Sequence, residues 1–89
     1  MVQEELDKIA SMLGNLGDDT SVPKNVRLKI AEAKKRLESN DDFAAKVSIA
    51  VYALDEVSND INMPMHARTL IWNILSELES LKNRELQNE

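Results

Sequence analysis

Cysteine is missing from this 89-residue chain. Disulfides, thiolate metal sites and thiol nucleophiles are therefore excluded, and the composition suits a reducing compartment. Proline and glycine occur only twice each, too few for a loop-rich or low-complexity protein. The aromatic residues number three, Phe43, Tyr52 and Trp72, so platforms for stacking nucleic-acid bases are scarce. No apolar run approaches the roughly 18 residues of a spanning helix, and no membrane association is expected. The opening MVQEELDK is acidic and lacks the apolar core of a signal peptide, which points to a cytoplasmic protein. Nothing alternates with period two over a useful length, so no sheet is expected. The net charge of −5 opposes binding to nucleic acid or anionic lipid as a whole, although a local patch can override it.

What remains is helical periodicity. Val2, Leu6, Ile9, Ala10, Leu13 and Leu16 share one face of a first helix, with Glu4, Glu5 and Asp7 near its positive end. Gly14 weakens its last turn, and Gly17 is placed to stop it in a left-handed conformation. Pro23 opens a second helix burying Val26, Ile30, Ala33 and Leu37. Ser39 with Asp42 resembles a capping box for a third helix carrying Phe43, Val47, Ala50, Val51, Leu54 and Val57. Pro64 then opens the longest stripe, Ala67, Leu70, Ile71, Ile74, Leu75, Leu78 and Leu81, expected to fray after Lys82.

Shifting the chain by 41 residues aligns Leu13 with Leu54, Asp19 with Asp60, Pro23 with Pro64, Arg27 with Arg68, Ile30 with Ile71 and Leu37 with Leu78. One helical hairpin is written twice. Helical repeats of similar period, such as HEAT units, also carry a proline and a Val-Arg pair, but two units are too few for a solenoid. The expected fold is therefore all-α, a four-helix bundle built from two tandem helical hairpins. It should form a single domain over residues 1–89, with hairpin one at about 2–38, hairpin two at about 41–82 and a polar tail at 83–89.

Two stretches, VPKNVR at Val22–Arg27 and NMPMHARTLIWNILSELE at Asn62–Glu79, resemble the small archaeal group catalogued as uncharacterised protein family 0147. The resemblance covers most of the chain and implies four helices. It supplies no established activity and no assigned catalytic or binding residues.

The residues themselves offer little chemistry. His66, flanked by Met63 and Met65, could be imagined as a soft metal site, but no second histidine, cysteine or HExxH pattern accompanies it. The neighbouring acids Asp18–Asp19, Asp41–Asp42 and Asp55–Glu56 do not converge, because adjacent helical residues point about 100° apart and loop acids serve caps. Neither a nucleophile turn nor a glycine-rich phosphate loop is present. No enzymatic activity and no cofactor are expected. Arg27 and Arg68 should each clasp their own hairpin through Asp19 or Asp60, the alternative being an anionic ligand between the hairpins.

Two surfaces could carry a binding function. Between residues 24 and 36, six basic residues against Glu32 give +5 and leave −10 for the rest. A helix so charged, with Lys34, Lys35 and Arg36 at its end, could lie along a nucleic-acid backbone. More telling, Ile49, Tyr52, Met65 and Trp72 fall off the main stripes of hairpin two, where hairpin one has Lys8, Ser11, Lys24 and Ala31. Clustered exposed aromatic and methionine side chains mark protein contacts. The expected function is thus a non-enzymatic protein-interaction module, with a second protein or a second copy as partner and nucleic acid as the alternative.

Overall fold

The computed structural model describes residues 2–87, with side chains described for residues 3–84. Four helices follow one another: α1 (Val2–Gly17), α2 (Lys24–Leu37), α3 (Phe43–Val57) and α4 (Met65–Gln87). No strand occurs among the described residues. Each helix packs on two neighbours in a ring, α1 on α2, α2 on α3, α3 on α4 and α4 back on α1. A stacked pair of repeats would instead set α1 on α3 and α2 on α4. The result is an elongated four-helix bundle of 40 × 20 × 18 Å.

The predicted stripes form its core. Leu6, Ile9, Ala10, Leu13 and Leu16 of α1 and all four predicted positions of α2 are buried. On α4, Ala67, Ile71, Ile74, Leu78 and Leu81 are buried. Each fully buried Leu or Ile contributes about 1.5–3 kcal/mol relative to exposure. The outer members of two stripes behave differently: Phe43, Val51 and Leu75 only lean on the core, and Leu70 is 38% exposed. These sit at the margins of arcs wider than one contact line. The side chain of Val2 lies outside the described residues.

The helix ends correct three expectations. No glycine has a positive φ, so Gly17 ends α1 without a left-handed turn, and backbone bonds from Asp18 to Asn15 O (3.2 Å) and Asp19 to Leu16 O (3.1 Å) close it. Gly14 serves packing: a Cβ there would lie 3.1 Å from Lys34 Cε, so the glycine lets the lysine stem cross α1. Asp42, not Ser39, caps α3 by accepting from Ala45 N at 3.3 Å. Ser39 belongs to the preceding turn, where its hydroxyl donates to Arg36 O at 2.7 Å and accepts from Asp41 N at 3.3 Å. Finally, the segment read as a tail from residue 83 continues as helix to Gln87, tied to α1 by Arg84 Nη2 donating to Glu5 Oε2 at 2.6 Å. Residues 88–89 lie outside the described residues.

Candidate functional site

Both loops that close a hairpin, α1–α2 and α3–α4, repeat the same geometry. Asp19 Oδ1 accepts from Ser21 N at 2.9 Å, and Asp60 Oδ1 accepts from Asn62 N at 2.8 Å. Each aspartate thereby folds its loop into a local turn. Val22 N then donates to Asp19 O (3.0 Å) and Met63 N to Asp60 O (3.3 Å), dropping Val22 and Met63 into the core. The expected Arg–carboxylate clasps do not form. Arg27 Nε donates to Val22 O at 3.1 Å and Arg68 Nη2 to Asp60 O at 2.9 Å, so each arginine holds the main chain of its own loop instead. The carboxylates, already committed to their turns, use their second oxygen elsewhere.

That second oxygen crosses to the other hairpin. Asp19 Oδ2 lies 2.7 Å from His66 Nε2, and Asn25 Nδ2 donates to Asp60 Oδ2 at 3.4 Å. Under the 41-residue shift Asp19 matches Asp60 and Asn25 matches His66, so the two contacts exchange into one another. Reciprocity of this kind is the mark of a two-fold axis, here relating two halves of one chain. An ionised carboxylate only accepts, so Nε2 carries the proton of the Asp19–His66 bond. The Ser21 hydroxyl (2.6 Å), the His66 ring and the Ser21 amide, in that order, pull the Asp19 pKa down to about 2.

This accounts for His66. Its Nε2 is engaged by Asp19, Met63 is buried in the core and Met65 points to solvent, so the imagined soft-metal trio does not converge. No group of three His, Cys, Asp or Glu side chains suited to a metal ion occurs among the described residues.

The basic run on α2 is dispersed. Lys34 Nζ binds both carboxylate oxygens of Glu38 at 3.1–3.2 Å, and Arg36 lies 3.7 Å from Asp41. Successive residues point about 100° apart, so Lys34, Lys35 and Arg36 do not form one continuous stripe. Lys29 is drawn toward α3 by Glu56 at 3.9 Å.

The four contact candidates are all exposed: Tyr52 76%, Met65 67%, Trp72 53% and Ile49 40%. They do not all face the same way. Lys82 Nζ donates to Ser48 Oγ at 3.0 Å, which marks the facing flanks of α4 and α3. By helical spacing Trp72 and Met65 lie about 80° and 100° beyond Lys82 around α4, on its solvent side, and Tyr52 points directly away from the core of α3. Ile49 lies on the opposite flank of α3, the one bearing Glu56 and its Lys29 partner. Tyr52, Met65 and Trp72 thus share the outer face of hairpin two, and Ile49 turns toward α2.

One member was missed by helical reasoning. Ile61, in the α3–α4 loop, is 89% exposed, and its counterpart at the 41-residue shift is Thr20. The comparison that singled out Trp72 would have found it had it been extended into the loops. Among the described residues, the large exposed hydrophobic ones are Leu28 in hairpin one and Ile49, Tyr52, Ile61, Met65, Leu70 and Trp72 in hairpin two.

Concavities are open clefts. Two run along the α1–α4 seam, about 230 Å³ beside the Glu5–Arg84 pair and about 250 Å³ between Met12, Leu16 and Leu70. Among the described residues no helix is long and apolar enough to cross a membrane.

Comparison with known proteins agrees with this architecture. The crystal structure of the unknown function protein MMP1188 superposes with a TM-score of 0.78 at 43% identity, covering 83% of this chain and 85% of that one. A UPF0147 protein of Methanothermobacter thermautotrophicus is 42% identical over 83 residues, spanning 92% of this chain and 81% of its own. One from Methanocaldococcus jannaschii is 43% identical over 81 residues, spanning 90% of this chain and 87% of its own. The model of the uncharacterised protein family UPF0147 matches residues 1–81. With that match running from α1 to Leu81 of α4, and a solved relative of the same fold, the chain belongs to the family UPF0147.

Proposed function

We propose that this chain is a small, non-enzymatic, cytoplasmic interaction module that binds another polypeptide through the outer face of hairpin two, centred on Tyr52, Met65 and Trp72. The observation that carries this reading is the inequality of two otherwise matching halves. The hairpins share their loops, arginine contacts and core positions, yet among the described residues six of the seven large exposed hydrophobic ones lie on one of them. Core packing does not account for side chains that solvent reaches. Contact surfaces do, since aromatic and methionine side chains are enriched at the centres of protein interfaces.

A nucleic-acid role through α2 is less well supported, because Glu38 and Asp41 engage Lys34 and Arg36. Affinity capture from the native host with wild-type protein and with Tyr52→Ala/Trp72→Ala tests the interaction reading. The wild type should retain a partner that the double variant loses. Equal recovery by both, together with unchanged sedimentation, would remove the reading.

A further inference from the structure

The outer face of hairpin two has a second property beyond its apolar side chains. Across residues 41–82 there are seven acidic residues and three basic ones, and the three basic ones are drawn inward. Lys46 is buried and donates to Ser39 O at 3.2 Å, Arg68 is half-buried on Asp60 O, and Lys82 is half-buried on Ser48. Apart from His66, which is bound to Asp19, every exposed titratable charge on α3 and on α4 as far as Lys82 is a carboxylate: Asp55, Glu56, Glu77 and Glu79.

Their placement follows the aromatic residues. Asp55 lies three residues from Tyr52, one turn along α3 on the flank facing α4, whereas Glu56 is on the α2 flank with its Lys29 partner. Glu79 lies seven residues from Trp72, two turns along the same side of α4. An apolar centre is thus flanked by the exposed carboxylates Asp55 and Glu79, with Lys46, Arg68 and Lys82 turned inward.

Resting on the interaction reading above, we infer that the partner is a basic polypeptide segment, one presenting apolar side chains to Tyr52 and Trp72 and lysine or arginine to Asp55 and Glu79. An acidic partner would meet like charge at Asp55 and Glu79, and nucleic acid would do the same with its phosphates. Complementary charge chiefly speeds encounter and selects among partners, while the aromatic centre supplies contact area.

Trp72 is the single tryptophan of the chain and stands in the middle of the surface, so its emission reports coverage directly. The probe is a synthetic amphipathic helical peptide of lysine and leucine, titrated at low salt against full-length protein, with a glutamate–leucine peptide of the same pattern as the comparison. The basic peptide should shift Trp72 emission to the blue and the acidic one should not. Combining Asp55→Asn and Glu79→Gln should weaken binding by about twofold to thirtyfold, whereas Glu4→Gln and Asp7→Asn, equal in charge removed, should leave it unchanged. Circular dichroism checks that the surface variants keep their helix content.

Equal response to both peptides, or equal weakening by both sets of substitutions, would overturn the basic partner and leave the contact surface standing. Binding of either peptide without any change in Trp72 emission would overturn both. Sedimentation of the free protein as a dimer that occludes Trp72 would replace the basic segment by a second copy.

Discussion

The two-fold relation between the hairpins makes two seams equivalent, α2 against α3 and α4 against α1, and the structure treats them very differently. The first is the more closely packed, although a cleft of about 290 Å³ opens at its Asn25–Asp60 end; the second is looser, with clefts beside Met12, Leu70 and Arg84. Side-chain size at matching positions explains the difference. Helices α2 and α3 bring Ala33, Ala50 and Ala53 toward each other's side of the core, where α4 and α1 have Ile74, Ile9 and Met12. Helix axes approach to about 8 Å over small residues and stand near 10 Å over large ones. The lesson is that a duplicated fold need not duplicate its interfaces. A few methylenes at equivalent core positions decide which seam packs more closely.

The largest expected effect comes from emptying the wide seam. Ile74→Ala removes a fully buried side chain and should cost about 2–5 kcal/mol in urea unfolding. A cost below about 1 kcal/mol would mean that α4 can settle onto α1 without its isoleucine, and the size explanation would fail. Filling the narrow seam is the converse: Ala50→Ile should destabilise by about 1–3 kcal/mol through overpacking, and an unchanged midpoint would show that the small residue there is incidental.

Smaller effects sharpen the comparison of the halves. Gly14→Ala should gain about 0.5–1 kcal/mol of helix stability, because the atom in the way is the far end of the flexible Lys34 side chain. A loss would show that the lysine path across α1 is rigid. Trp72→Ala should change stability by no more than about 0.5 kcal/mol, since the side chain is largely in solvent. A larger loss, read in the same urea titration, would return the indole to a structural role in the bundle.

The Asp19–His66 contact gives the mildest prediction and the one with a pH signature. The folded-state pKa of Asp19 is about 2 against an ordinary value of 3.8. A lowered carboxylate pKa stabilises the fold above the ordinary value, and that contribution is lost as pH falls through the folded one. The stability contributed by Asp19 should therefore be complete above about pH 4 and disappear by about pH 2. Asp19→Asn should flatten stability across that interval. Carboxyl titration by NMR should show the Asp19 pKa rising in His66→Ala, and an unmoved value would break the link between the hairpins at that point.

Much of the fold was legible because helical periodicity and punctuation are local. The stripes of α1 and α2, the prolines ahead of α2 and α4 and the doubled hairpin could all be read from spacing. The loops were harder. Val22 and Met63 are buried although neither belongs to a helical stripe, because an aspartate-anchored turn folds each inward. The arginines repeat as predicted but bind carbonyls, since the nearby carboxylates are taken up by the turns and by the other hairpin. The contact candidates could be chosen by comparing halves, whereas the separation of Ile49 from Tyr52, Met65 and Trp72 depends on which neighbour each flank of α3 meets.

The order of residues along the chain determined four helices, their polarity and the duplication, because hydrophobic spacing, capping acids and proline act within a few residues. Only tertiary packing decided that Asp19 would find His66 and Asp60 would find Asn25, that one seam would pack more closely than its twin, and that Lys46, Arg68 and Lys82 would turn inward. Those outcomes depend on distances between segments far apart in sequence, where side-chain volume and competing hydrogen-bond partners select among arrangements that local preference leaves equal.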